Sequence, residues 1–443
     1  MKPKVEKIIY ITYYNSRYNT MSNYRIALDS YWLCNSNLVE SSMIYNFLLE
    51  NGHKLTTDPS KADFIIISTC GVTNYMHNHY RTLIRKYLSI KKKDAQLIVY
   101  GCMVKIAPEK LNLKDIDLIS FDDRHKFNDL FYKKKKIEEI PLICDDKTYR
   151  KLIEMKKILY RKCFGNEKIT SFSWTLQFFL FPKIFSFFSK RIKIKYGRFA
   201  RLLLHKNKIF IQISRGCNYN CSYCAIKRAK GNPVSIATED IIKNIRKIYH
   251  PSKTLVLVAD DCAMYGVDTN SNLIKLIYEI NKSFPGCKFD LSFIHPRYIQ
   301  RFPDELINLF KNVNIESVQI PLQSGSNRIL KKMRRYYDVK KVLKIIEKIK
   351  KTSPQTLFLA HFIIGHPGET TRDFIKTLKS SKYFDFSYPI PYSDMERTHS
   401  FQLPNKKTIF TINIRFYFSI LFMSFVLLYK LYQDDFLKDE LEK

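Results

Sequence analysis

The stretch RGCNYNCSYCAIK, residues 215–227, decides how the rest of the chain is read. It sets Cys217, Cys221 and Cys224 in a CxxxCxxC spacing on one tight loop. Cysteine sites for zinc and for iron–sulfur clusters usually count to four. Three thiolates from one loop can hold three irons of a cubane and leave the fourth to a ligand that is not protein. Catalytic zinc sites use the same device to keep one position open for chemistry. A structural zinc site would close with a fourth Cys or His, but none lies inside this loop and the next cysteine is Cys262. Tyr223 adds an aromatic ring inside the final CxxC.

The flanks give the loop its setting. KIFIQIS (208–214) reads as a strand running into it, and TEDIIKNIRKIY (238–249) as a helix after it, with Thr238 as N-cap. TLVLVAD, KFDLSFI, SVQIPLQ and TLFLAHFIIG are further apolar strands, with helices between them at 303–312 and 338–351 among others. Repeated β/α units with functional turns at the C-terminal strand ends follow barrel logic. Six strands count more readily than eight, so a partial barrel is expected. Nearer the N-terminus RIALDSYWL, ADFIIIST and AQLIVYG read as strands separated by helices ending near Gly52 and Ser89. This is the pattern of a parallel sheet covered on both faces. The expected fold is α/β: an N-terminal doubly wound parallel-sheet domain, a partial (β/α)6 barrel, and a helical C-terminal tail.

The expected divisions are an extension at 1–24, a first domain at 25–140, an aromatic-rich insertion at 141–205, the barrel at 206–400, and an apolar helix with an acidic tail at 401–443. The insertion carries seven phenylalanines between Phe172 and Phe188, and its proline interrupts it too much for a bilayer span. Packing on the body, an interfacial element or a substrate lid are its readings. The uninterrupted apolar core Phe416–Tyr429 is short for a span and reads as a core or interfacial helix.

Composition narrows the class. The chain has 443 residues, 45% hydrophobic and 26% charged, which suits a folded protein of two or three domains. MKPKVEK lacks the apolar run of a cleavable signal, so the ten cysteines read as metal or catalytic sites in a reducing cytoplasm. The net charge of +34 suits RNA or an acidic membrane surface. It also suits plain composition bias, because the lysines are spread along the chain.

With its loop placed after the first strand of a partial barrel, the sequence resembles the radical S-adenosylmethionine (SAM) superfamily. Within it, PLQSGSNRILKKMRRYY (321–337), IIGHPGETTRDF (363–374) and YSDMERT (392–398) look like successive motifs of the methylthiotransferases. DDCAMYG (260–266) and SFIHP (292–296) stand between the loop and these motifs. YWLCNSNLVESS, STCGVTN and YGCMVKIAPEKL resemble that family's N-terminal domain and put Cys34, Cys70 and Cys102 at or just after predicted strand ends. In a parallel sheet such ends converge on one edge.

The resemblance implies two [4Fe–4S] clusters and SAM as cofactors. Cys217, Cys221 and Cys224 are the implied ligands of the first cluster, and Cys34, Cys70 and Cys102 of an auxiliary one that carries or donates sulfur. No catalytic side chain beyond these ligands is implied. Tyr223 is implied as an adenine-side contact, and Gln323, Ser324 and Gly325 as an approach to the SAM ribose and carboxylate. Arg335 matches a family arginine or is a solvated helix charge. Gly365, Pro367, Gly368 and Glu369 form a turn read either as geometry or as a ligand contact. Cys144, Cys163, Cys262 and Cys287 read as structural.

The implied reaction is insertion of sulfur and a methyl group at an unactivated C–H, by resemblance on a tRNA adenosine beside the anticodon. A peptide, protein or small-molecule substrate is the alternative, and a noncatalytic iron–sulfur or RNA-binding protein the reading from another class. An electron donor such as flavodoxin or ferredoxin, and peripheral membrane attachment of a cytoplasmic protein through the C-terminal helix, complete the expected partners. Several family positions differ: Leu33, Lys227, Lys230, Ala259, Asp260 and His361 stand where the family has other residues. Family members also end in a small β-barrel RNA-binding domain, whereas an apolar helix follows the barrel here.

Overall fold

The structure is a computed structural model that describes residues 23–31, 34–165 and 207–441, with 431–441 described by backbone alone. The Phe172–Phe188 stretch, Leu33 and nearly all of the N-terminal extension lie outside the described residues. The chain divides into two compact units: Met1–Asn166 with Arg228–Lys230, and Glu167–Lys227 with Gly231–Lys443.

The first unit is built on five parallel strands: β1 (Arg25–Asp29), β2 (Lys54–Leu55), β3 (Phe64–Thr69), β4 (Gln96–Gly101) and β5 (Ile116–Ile119). Their order, β2-β1-β3-β4-β5, is that of a doubly wound sheet. Every residue of β3 is buried, as its unbroken FIIIST run requires when both faces are covered. β1 ends at Asp29 rather than at Leu33. The Asp29 carboxylate is fully buried, accepts from the Tyr87 hydroxyl at 2.6 Å and pairs with Lys156. Lys156 belongs to the helix Asp146–Phe164, where Leu152 also receives a bond from Ser30 Oγ at 3.4 Å. The first unit therefore runs past residue 140.

The second unit carries six parallel strands: β6 (Lys208–Gln212), β7 (Thr254–Val258), β8 (Lys288–Phe293), β9 (Ile315–Gln323), β10 (Leu357–Ile364) and β11 (Phe386–Pro391). They stand side by side in chain order, so each intervening helix returns the chain to the next place in the same direction. Toward the N-terminal strand ends, Lys208 and Asp290 form a buried ion pair at 2.5 Å, and Ser317 donates to Asp290 at 2.7 Å. This buried polar cluster lies away from the C-terminal strand ends, where barrels of this kind place their chemistry.

Three details depart from the sequence reading. β11 contains Pro389 and Pro391, which hide it from a propensity argument but suit the last strand of the row. The helix 238–246 is capped by Ala237, and Thr238 instead bonds the Tyr265 hydroxyl at 2.9 Å. The C-terminal helix spans Ile409–Leu441, far beyond the apolar core 416–429, and packs on β11 and β10 and on the helix Thr371–Ser381. Arg415 does not interrupt it, because its guanidinium pairs with the fully buried Glu369 at 2.9 Å.

Candidate functional site

The cysteine loop leaves β6 through Ser214–Arg215, which pair antiparallel with Val234–Ser235. Gly216 follows at φ +89°, where a Cβ would lie 2.2 Å from the Asn232 carbonyl, so only glycine fits. Its amide donates to Asp260 Oδ2 at 2.9 Å, which gives the carboxylate at this altered family position a holding role. Further bonds pin the loop: Cys217 N to Gly231 O at 3.2 Å, Ser222 N to Met333 O at 2.9 Å, and Ser400 N to Ser222 O at 2.7 Å. Ser222 Oγ also meets His366 Nε2 at 3.2 Å.

The three thiols sense one another. Desolvation pushes the Cys224 thiol up to about 12 although the residue is exposed on the loop, and Cys221 is the next contributor. Burial also raises Cys217, followed by Asp261 and then by its two sister cysteines. A cation faces this group. Arg335 is 4% exposed and donates from Nη1 to Cys221 Sγ at 3.5 Å and to the Tyr223 hydroxyl at 3.4 Å, and from Nη2 to the Pro321 carbonyl at 2.8 Å. Burial opposes its charge, but Tyr223, Cys221 and Tyr337 together hold the guanidinium protonated.

Around these groups stand polar atoms without partners among the described residues: Gln212 Oε1, Asp261 Oδ2, His295 Nε2, Gln323 Oε1 and Arg335 Nε, all buried. They come from the C-terminal ends of β6 and β9, from just beyond β7 and β8, and from the segment after β9. Buried polar atoms are almost always paired, so five orphans converging on one strand-end face mark a place for a polar ligand. Asp261 is raised to about 6 by burial even though it accepts from the amides of Ala263 and His295. His295 stacks on Tyr219 with ring centroids 4.0 Å apart and is held neutral by burial and by Arg335.

Gln323 sits at φ +64° and donates to His361 Nε2 at 2.8 Å. His361 is lowered to about 3 by burial, then by Arg335, so it faces the interior as a neutral ring. Ser324 and Gly325 are tied to a neighbouring helix. Ser324 Oγ meets Thr377 Oγ1 at 3.3 Å, Gly325 N donates to that same oxygen at 3.0 Å, and a Cβ on Gly325 would sit 2.3 Å from the Lys376 carbonyl. Their side of the turn is joined to the helix 371–381.

In the first unit, Cys34 precedes the helix Asn35–Glu50, Cys70 follows β3 directly, and Cys102 follows β4 directly. β1, β3 and β4 are neighbours, so these three thiols share one end of the sheet. Gly101, at φ +114°, would bring a Cβ to 2.6 Å from the Thr69 carbonyl, and its absence lets Cys102 turn in beside Cys70. Burial raises the Cys70 thiol, Cys102 and Cys34 raise it further, and Lys230 opposes them. Lys230 Nζ donates to Ser36 Oγ at 2.6 Å and lies 5.0 Å from the Phe121 ring centroid.

No group of three or more His, Cys, Asp or Glu stands close enough to hold a single metal ion among the described residues. A cubane asks for thiols spaced around a whole cluster, each bonded to its own iron. Two all-cysteine groups at sheet ends, each beside a buried cation, supply the donor type that this chemistry asks for. Three of the four other cysteines are engaged elsewhere: Cys262 Sγ points to the Leu257 carbonyl and Cys144 Sγ to the Asp145 carbonyl, while Cys163 lies near Tyr87; Cys287 is buried.

The Radical SAM superfamily model matches residues 211–380, and the model described as uncharacterized protein family UPF0004 matches 26–120. The tRNA-2-methylthio-N(6)-dimethylallyladenosine synthase of Buchnera aphidicola is 27% identical over 84% of this chain and 79% of its own length. The ribosomal protein uS12 methylthiotransferase RimO of Protochlamydia amoebophila is 26% identical over 84% and 71%. Over most of its length the chain is similar to the radical SAM methylthiotransferases. In fold, the chain resembles the radical SAM methyltransferase TsrM of Kitasatospora setae, with a TM-score of 0.51 at 10% identity, covering 82% of this chain and 72% of the other.

Gln212, Asp261 and His295 are not among the site residues expected from the sequence. The available signal was a lone polar residue at or just past the end of an apolar strand, in KIFIQ, LVLVADD and LSFIH.

Proposed function

We propose that this chain inserts sulfur and a methyl group at an unactivated C–H of a tRNA adenosine beside the anticodon. In this reading Cys217, Cys221 and Cys224 hold a [4Fe–4S] cluster, with SAM as its non-protein partner. Cys34, Cys70 and Cys102 hold a second cluster that carries the sulfur. Together with SAM, the first cluster supplies the one-electron chemistry that opens an inert C–H bond.

The chain's own residues prepare the site. Arg335 offsets the negative charge of the thiolates and fixes Tyr223 beside them. Asp260 clamps the loop through Gly216. Gln212, Asp261, His295 and Gln323 offer unsatisfied hydrogen-bonding atoms to the amino-acid and ribose portions of SAM or to the substrate. Neutral His361 gives the interior a polar but uncharged wall. That convergence of orphaned polar atoms beside a thiol triad is the observation that carries the reading.

After anaerobic reconstitution, the protein with SAM and a strong reductant should release 5′-deoxyadenosine, and no release from fully loaded protein rejects the assignment. A protein substrate is the second reading, favoured by the relative named for ribosomal protein uS12. Mass spectrometry of tRNA nucleosides from a deletion strain separates the two. Loss of a methylthio-adenosine supports tRNA; unchanged nucleosides support the protein. We further assign the chain to the cytoplasm, with a flavodoxin- or ferredoxin-type reductant.

A further inference from the structure

The C-terminal helix has two apolar faces, and the fold uses one. On the inner face Ile412, Phe416, Ser419, Met423 and Leu427 are buried. On the outer face Phe410, Ile414, Phe418, Leu421 and Phe425 recur at steps of four, four, three and four residues, and each is more than half exposed. Helical spacing puts them in one stripe. Single apolar side chains on a surface need no explanation, but a continuous stripe marks a contact.

The stripe has a basic border. The helix Thr371–Ser381 runs beside it, fixed by Phe374 against Phe418 with centroids 6.3 Å apart and by Arg415 over the Phe374 ring at 5.3 Å. Lys382, one residue past that helix, lies over Phe422 at 5.6 Å. The exposed residues from 371 to 383 are Thr371, Arg372, Ile375, Lys376, Lys379, Lys382 and Tyr383, with no acid among them. Between Ile409 and Lys430 the only charges are Arg415 and Lys430, and acidic residues begin at Asp434.

We propose that this face lies flat on an anionic lipid bilayer. The stripe enters the headgroup–acyl boundary, and Arg372, Lys376, Lys379 and Lys382 meet the acidic headgroups. Other occupants match the face less well. A second copy would bring two basic borders together. RNA would engage the lysines and leave the Ile, Leu and Phe side chains in water. The stretch Ile409–Lys430 is long and apolar enough to cross a membrane, but its inner face is committed to the protein. Crossing would break the buried Arg415–Glu369 pair. It would also free Lys430 Nζ from the Lys382 and Phe384 carbonyls, both at 2.7 Å. In hydrocarbon those groups would be without partners.

The test is flotation of full-length reconstituted protein with phosphatidylcholine vesicles, with or without phosphatidylserine. The protein should float with the acidic vesicles and be released by high salt. The double variant L421S/F425S should bind more weakly by about tenfold per side chain, and K376E/K379E by at least about fivefold per charge. All four side chains are exposed, so retained SAM cleavage reports that the variants are folded. Failure to float with acidic vesicles overturns the proposal, as does binding that L421S/F425S leaves unchanged. Association that resists alkaline extraction, or a lipid-independent dimer that L421S/F425S dissolves, overturns it in favour of a span or a second copy.

Discussion

Arg335 is a buried cation whose hydrogen bonds go to a sulfur, a hydroxyl and a carbonyl, with no carboxylate at ion-pair distance among the described residues. A buried charge without a counter-charge is costly, and its retention points to an anion that the folded protein is built to receive. Two opposite effects follow from one change. Arg335→Met should stabilise the cluster-free protein by about 1–4 kcal/mol in chemical denaturation, because a lone buried charge becomes a packed thioether. The same variant should retain iron poorly and cleave SAM slowly. Arg335→Lys should keep the charge but lose the fork that spans Cys221 and Pro321, so it should recover little of the cleavage rate. A cluster-free Arg335→Met protein that is less stable than the parent would show that the guanidinium serves packing alone.

At the scale of elements, the strands were legible as short apolar runs, and the cysteines at their ends marked the chemistry. What stayed illegible has physical causes. β11 was masked by Pro389 and Pro391, which only a sheet's last strand accommodates. The orphaned Gln212, Asp261 and His295 have only a weak local signature, a polar residue at or just past a strand end, because strand ends far apart in sequence create their setting. The length of the C-terminal helix depended on Arg415 finding Glu369, a tertiary pairing no window of sequence contains. That pairing has a pH signature. Burial dominates and raises Glu369 from 4.5 to about 7, despite the Gly365 amide and Arg415, which pull the other way. A carboxyl that binds its proton more tightly when folded contributes stability that is complete below about pH 4.5 and lost as the pH rises through about 7. Over that window the parent should lose about 3 kcal/mol relative to Glu369→Gln, whose stability lacks this titration. Denaturation curves for the two proteins that stay parallel from pH 4 to 8 would exclude a protonated Glu369.

At the scale of the whole molecule, each thiol triad is supplied by a single compact unit. Cys34, Cys70 and Cys102 depend on β1, β3 and β4; Cys217, Cys221 and Cys224 depend on the loop after β6 and its ties to Gly231, Met333 and Ser400. Neither triad borrows a thiol from the other, so the two proposed clusters should load independently and their chemistry should separate. The parent should bind about eight irons per chain, and either triple Cys→Ala variant about four. The variant lacking Cys34, Cys70 and Cys102 should still release 5′-deoxyadenosine but form no methylthiolated product. The variant lacking Cys217, Cys221 and Cys224 should do neither, while keeping the visible absorption of its remaining cluster. If either variant loses all its iron, the triads serve one shared site. If the first variant still transfers sulfur, then Cys34, Cys70 and Cys102 do not carry it.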